Sequence, residues 1–386
     1  IKLTTLIFIL IRRWNNFAVP CIYNNDAWFN RQARSCGSSN MYRELLQLKK
    51  RLAHVVILPV LVCGFSTVQP AAVAQDTILI GVLAHRGKEQ ALVRWSPTAD
   101  YLTGRVPDYR FEIVPVNLDE IAAAVEASEV QFILTNPGNY VDLESRFGAS
   151  RIATLQTREQ GRTRVRYGAV IVSRADNSAI RSLADLKGKS FMAVSPEAFG
   201  GFQMAWRELK EQGIDPFSDF SMLHFAGFPQ DKIIHAVRSG TVDAATVRAE
   251  TLMRMVEAGT VNLEDFRILN PQYRNDSASA LPLSTRLYPE WPFATLKSTP
   301  RELASRVAQA LLSMPADHPA AHASRTAGWT VPLDYSPVHR LMKTLQIGPY
   351  QVLRQRSFSS FMKRYAGLFV AAALLLLSLI VLNGYI

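Results

Sequence analysis

From Thr77 onward, the chain alternates between two patterns of apolar and polar positions. Short apolar runs at Thr77–Leu83, Phe111–Pro115, Val130–Leu134, Tyr167–Val172, Ser190–Val194 and Val242–Thr246 predict buried strands. Between them apolar residues return at helical spacing. The segment Glu89–Leu102 does so through Leu92, Trp95, Ala99 and Leu102, and further helices are expected at about 199–212, 230–239 and 249–258. Asn117 is expected to cap an alanine-rich helix with Asp119 and Glu120 in its first turn, where the dipole favours acids. Strands separated by helices predict an α/β fold of parallel sheets covered on both faces.

Both ends break this pattern. Residues 365–386 carry no charge and match the ~20 apolar residues of a transmembrane helix. At the front, Met41 precedes basic residues (Arg43, Lys49, Lys50, Arg51), an apolar run Leu52–Phe65 and the small-x-small triplet Ala72-Val73-Ala74. These mark 41–74 as a signal peptide with Gln75 as the first mature residue; an uncleaved signal anchor is the alternative. Residues 1–40 open on Ile1, show no periodicity and are expected to be an N-terminal extension ahead of a natural start at Met41.

Charge adds little to this picture. Nine of the 43 Lys/Arg and two of the 32 Asp/Glu lie in residues 1–74, so +7 of the net +11 belongs to the front. The body is nearly balanced and has no basic tract with interleaved aromatics, which argues against nucleic acid as a partner. All three cysteines (Cys21, Cys36, Cys63) lie in the front as well, leaving the body without material for a disulfide framework or a cysteine metal site.

Ligands of open α/β sheets bind beyond the carboxyl ends of strands. Two junctions there share a design: Thr135-Asn136-Pro137-Gly138-Asn139-Tyr140, and Ser195-Pro196-Glu197-Ala198-Phe199-Gly200-Gly201. Each has a polar cap, a proline suited to the first helical position and glycine that admits close approach; free N–H groups make both candidate anion sites. Plain helix capping is the competing reading. Arg86 and Arg248 follow strands in the same manner, as anion partners or as a solvated loop charge and a partner of Glu250 respectively. Enzyme signatures are lacking. His318 and His322 stand four apart without the intervening glutamate or third ligand of a zinc site, and no nucleophile elbow or phosphate loop occurs. No cofactor or metal is expected.

The stretch Ile80–Glu264 resembles the phosphate/phosphonate-type periplasmic binding proteins. The resemblance rests on GVLAHRGKEQALVRWSPTADYL (81–102), FILTNPGNYV (132–141), IRSLADLKGKSF (180–191), FGG (199–201) and GTVDAATVRAETLMRM (240–255). The later stretches 284–312 and 328–342 are similar to the sensor region of tetrathionate-sensor-type histidine kinases. This resemblance implies a type II, two-lobed binding domain over 75–350, with lobe one at 76–168 plus 280–345 and lobe two at 170–268, followed by the transmembrane helix. Hinge crossings are implied near 166–173 and 266–285. By position it implies ligand contacts from Asn136, Gly138 and Tyr140 in lobe one; from Ser195, Phe199, Gly200 and Gly201 in lobe two; and from Arg86, Gln230 and Arg248. Glu197 and Ala198 stand where phosphonate-binding relatives carry a hydroxyl-rich turn, so a cleft is implied without phosphonate being fixed as its ligand.

The reading is therefore a non-enzymatic extracytoplasmic sensor portion of a two-component histidine kinase, held in the inner membrane with its binding domain facing the periplasm. It would bind a small anionic solute, a sulfur oxyanion among the candidates, and signal through the terminal helix. The kinase core or response regulator is expected in further sequence or a partner chain, and a homodimer is compatible. The alternative is a membrane-tethered substrate-binding protein of an ABC transporter for phosphate- or phosphonate-like anions.

Overall fold

The computed structural model describes residues 75–159, 161–272 and 281–383. The expected extension (1–40), the signal peptide (41–74) with all three cysteines, and the last residues of the expected span (384–386) lie outside the described residues.

In chain order the strands are β1 (Asp76–Leu83), β2 (Tyr109–Val116), β3 (Phe132–Leu134), β4 (Ser150–Glu159), β5 (Arg162–Arg164), β6 (Arg166–Tyr167), β7 (Ala169–Arg174), β8 (Ser190–Ala193), β9 (Met222–Phe225), β10 (Ala244–Arg248), β11 (Phe266–Leu269), β12 (Tyr288–Pro289), β13 (Pro292–Thr295) and β14 (Thr326–Thr330). A seven-stranded sheet runs β14-β4-β13-β3-β1-β2 with β5 on β4, and a five-stranded sheet runs β11-β7-β10-β8-β9. Each expected strand of the body is present. The expectation of wholly parallel sheets is corrected: β1 is parallel to β2 and β3, but β13 joins β3 and β4 antiparallel, and β7 joins β10 and β11 antiparallel. The antiparallel members include strands that enter from or return to the other sheet, without a helical crossover to align them.

Between the sheets, β6 and β12 pair as a two-stranded antiparallel ribbon, Tyr167 opposite Tyr288. Ser284 N donates to Ala169 O, and Ala169 N donates to Thr285 Oγ1, both at 2.9 Å. The return crossing thus runs through about 284–290, later than the 266–285 stretch implied by the resemblance. Phe266–Leu269 is instead an edge strand of the second sheet.

Helices cover the sheets: α1 (Lys88–Arg105), α2 (Ile121–Glu126), α3 (Pro137–Phe147), α4 (Met204–Glu211), α5 (Asp231–Arg238), α6 (Ala249–Glu257), α7 (Arg301–Leu312), α8 (Pro319–Ala323), α9 (Ser336–Leu345) and α10 (Gln351–Asn383). Trp95, Ala99 and Leu102 of α1 are buried as their spacing predicts, whereas Leu92 is exposed. Asn117 does not cap α2 with its side chain. Glu120 reaches back instead, its carboxylate accepting from Asn117 N at 2.9 Å, and α2 begins only at Ile121.

Helix α10 spans 33 residues and leaves the first lobe through a 3-10 turn, Gly348–Tyr350. Its Leu368, Phe369, Val370, Leu374, Leu375, Leu376, Leu377, Leu379 and Ile380 are all exposed. Among the described residues, however, no helix is long and apolar enough to cross a membrane, which departs from the span expected over 365–386.

Candidate functional site

Strand β1 ends at Leu83, and the chain turns through His85 and Arg86 to Gly87, whose φ of 96° opens α1. Strand β10 ends at Arg248, from which α6 begins. These two carboxyl ends meet at a cavity of about 420 Å³ between the sheets. Its basic lining is Arg86, Arg94, Arg158, Arg248, Arg254 and Arg325, against Glu250, Glu257 and Glu290. Apolar walls come from residues such as Leu83, Phe228, Met253 and Trp291.

Most of these arginines have internal partners. Arg248 donates from Nη2 to Glu290 Oε1 at 2.7 Å and from Nε to Glu250 Oε2 at 3.1 Å, and its guanidinium lies 3.8 Å from the Tyr167 ring centroid. Gln230 fixes its backbone by accepting from Arg248 N at 2.8 Å. Glu290 is only 1% exposed; burial pushes its carboxyl above the usual glutamate range, opposed by Arg248 and reinforced by Glu250. Arg86 and Arg254 share Asp231, at 3.2 and 3.6 Å. Arg158 Nη2 donates to Ala316 O.

Arg94 differs. This half-buried side chain donates from Nε to Ser324 O at 2.9 Å and lies 5.1 Å from the Trp95 ring centroid, but it pairs with no carboxylate among the described residues. Burial, then Arg248 and Arg325, push its guanidinium down to about 10. A cation withdrawn from water without a counter-ion is costly, and an anion in the cavity would relieve that cost. Nearby His85 packs edge-on to Trp291, centroids 5.1 Å apart. Its imidazole is held well below the usual histidine range by burial first, then by Arg94 and Arg248, so it is neutral at pH 7. The buried Trp291 Nε1 has no hydrogen-bond partner among the described residues.

Of the ten residues expected to contact ligand, Arg86, Gln230 and Arg248 line this cavity; the other seven do not. Asn136 caps α3, its Oδ1 accepting from Asn139 N at 2.9 Å. A Cβ on Gly138 would stand 2.7 Å from Phe199 Cδ2, so the first junction packs directly on the second. Tyr140 is buried and donates to Glu144 Oε1 at 2.7 Å. The Ser195 hydroxyl is buried without a partner among the described residues. Phe199, Gly200 and Gly201 form a π-helical turn, where a Cβ on Gly200 would meet Tyr167 at 2.8 Å and Arg248 at 2.9 Å. Glu197 is exposed. His318 Nδ1 accepts from Ala320 N at the start of α8 and its ring packs on Tyr101, while His322 is exposed.

The sequence alone does not mark His85, Arg94, Arg254, Glu290, Trp291 or Arg325 as cavity residues. Arg94 lies within the quoted GVLAHRGKEQALVRWSPTADYL stretch, but helical spacing there points to Trp95 and the core. Arg325 adopts a left-handed φ of 52°, which no local residue pattern announces.

The model of the family described as "ABC transporter, phosphonate, periplasmic substrate-binding protein" matches residues 80–335. The chain belongs to this family. A substrate-binding fold, not a catalytic one, therefore underlies the cavity. The tetrathionate sensor histidine kinase TtrS of Salmonella typhimurium is 34% identical over 275 residues, covering 70% of this chain and 44% of that protein. The chain thus spans under half the length of this curated relative. PhnD1 from Prochlorococcus marinus, solved with methylphosphonate, has a TM-score of 0.57 at 13% identity, over 70% of this chain and 98% of its own. The binding-protein component of a Pseudomonas aeruginosa ABC phosphonate transporter also scores 0.57, at 12% identity over 77% and 98%. At such identities the two structures share the fold with this family member and nothing finer.

Proposed function

We propose that this chain is the extracytoplasmic, ligand-sensing portion of a two-component histidine kinase, and that it binds a small anion in the arginine-lined cavity. The observation that carries the reading is Arg94, a half-buried cation facing five other arginines around one cavity without a carboxylate of its own among the described residues. The 34% identity to a tetrathionate sensor kinase supports sensing, and makes a sulfur oxyanion the first ligand to try. Arg86 and Gln230 belong to this site, with Arg248 held by Glu250 and Glu290 as part of its wall.

In this reading helix α10 seats its uncharged stretch in the inner membrane and hands ligand-driven lobe closure to a kinase core beyond it. The continuous helix from Gln351 and its all-round exposed leucines favour that placement. A second reading, a tethered binding protein serving an ABC transporter, is favoured by the family description.

Thermal unfolding of the full chain in detergent micelles with tetrathionate, sulfate, phosphate and methylphosphonate tests the cavity. Saturation at 100 Kd adds about 2.7 kcal/mol of stability. No shift with any of the four, or an undiminished shift in Arg94→Ala, overturns the anion site. In cells, loss of a transcriptional response with uptake intact supports the sensor; loss of uptake supports the transporter. Alkaline extraction of membranes tests the anchor, which fails if the chain is released.

A further inference from the structure

We infer that a run of hydrogen bonds, ion pairs and one cation–π contact, continuous through the Glu290 backbone, carries the state of the cavity to the root of helix α10. The run starts at the cavity wall, where Arg248 holds Glu290. The Glu290 carbonyl accepts from the Tyr335 hydroxyl. Tyr335 Oη also lies 3.4 Å from Thr154 Oγ1, and the Arg151 guanidinium sits 5.4 Å from its ring centroid. Arg151 donates to Leu333 O at 3.1 Å and to Glu144 Oε1 at 3.0 Å. The other oxygen of Glu144 lies 2.9 Å from His339 Nε2. His339 Nδ1 lies 2.9 Å from Tyr350 Oη, in the residue immediately before α10 begins.

The contacts join elements far apart in sequence: the ribbon that links the lobes, strand β4, and helices α3 and α9. Arg248 belongs to the second lobe, while every later member belongs to the first lobe or its edge of the ribbon. A movement that draws Arg248 away strands a carboxylate that is 1% exposed. Glu290 then has to shift, and its carbonyl is the atom that Tyr335 holds. An anion that competes for Arg248 perturbs the same first link. This gives the proposed ligand site a specific output, and in that respect the inference rests on the sensor reading.

The coupling is a thermodynamic claim that a double-mutant cycle decides. Hydrogen exchange of the 348–351 amides is followed in the full chain in lipid nanodiscs, for Arg248→Met, Tyr335→Phe and the pair. Arg248→Met is expected to speed exchange at this root at least threefold, and to add nothing once Tyr335→Phe is present. Independent, multiplicative effects of the two substitutions overturn the relay, as does an unchanged root in Arg248→Met. If Tyr335→Phe does not fold, His339→Gln replaces it in the same cycle. No ligand enters the experiment, so a failure of anion binding and a failure of the relay are read separately.

Discussion

Arg86, just past β1, and Asp231, at the first position of α5, reach across the cleft to within 3.2 Å of each other. Asp231 also lies 3.6 Å from Arg254, so one internal carboxylate occupies two of the cavity's cations. In the proposed anion site, Asp231 would act as a tethered competitor of the incoming anion. Asp231→Asn is therefore expected to tighten binding of the anion identified by thermal shift about two- to fivefold, the range of a solvent-screened pair worth up to ~1 kcal/mol. Titration calorimetry of both proteins checks this; weaker binding in the variant would show that Asp231 contacts the ligand or holds the site together.

Arg94→Ala is expected to weaken the same anion by about 2 kcal/mol or more, as truncation of one member of a desolvated charge pair does. Folding stability of the empty protein should hold or rise, because the removed cation has no carboxylate partner. Denaturant unfolding without anion separates the two effects. A large loss of stability would mean that Arg94 is chiefly structural, through Ser324 and Trp95.

Gly138→Ala distinguishes the cavity from the helix junctions. The added methyl meets Phe199 at 2.7 Å, so overpacking should cost about 1–3 kcal/mol of stability. Anion affinity should stay within about twofold, a difference of ~0.4 kcal/mol. A selective collapse of affinity would return the ligand to the junctions.

Asp243 offers a pH test of the second lobe. Its carboxylate accepts from Ser190 N at 2.8 Å and Ser190 Oγ at 2.7 Å, and these bonds hold its carboxyl below the usual aspartate range. With the folded value depressed, its stabilisation is present above the unfolded value of about 3.9 and is lost as pH falls through the folded one. Asp243→Asn should cost about 1 kcal/mol at pH 7. That gap should narrow steadily below pH 4, measured by urea unfolding across pH, and a gap independent of pH would sink the assignment.

The strands and most helices were legible because burial on both faces writes an unambiguous apolar run, as in β1 and β10. The antiparallel members were not, since an apolar run carries no direction. At the junctions, the chemistry that caps a helix is the chemistry that would bind an anion: Asn136 and its proline serve α3, and Gly138 and Gly200 stand close against Phe199, Tyr167 and Arg248. Arg94 looked like one more polar position on an amphipathic helix. Only the tertiary approach of Arg248, Glu290 and Trp291 turns it into a wall of the cavity.

The lobes are joined by a ribbon only two strands wide, and α10 grows from the first lobe alone. Whatever holds α10 therefore fixes that lobe as a stator, and in the proposed closure the second lobe would be the part that turns about the ribbon. Arg248 packs on Tyr167 of that ribbon, where even a small rotation would carry the far end of the second lobe through a long arc.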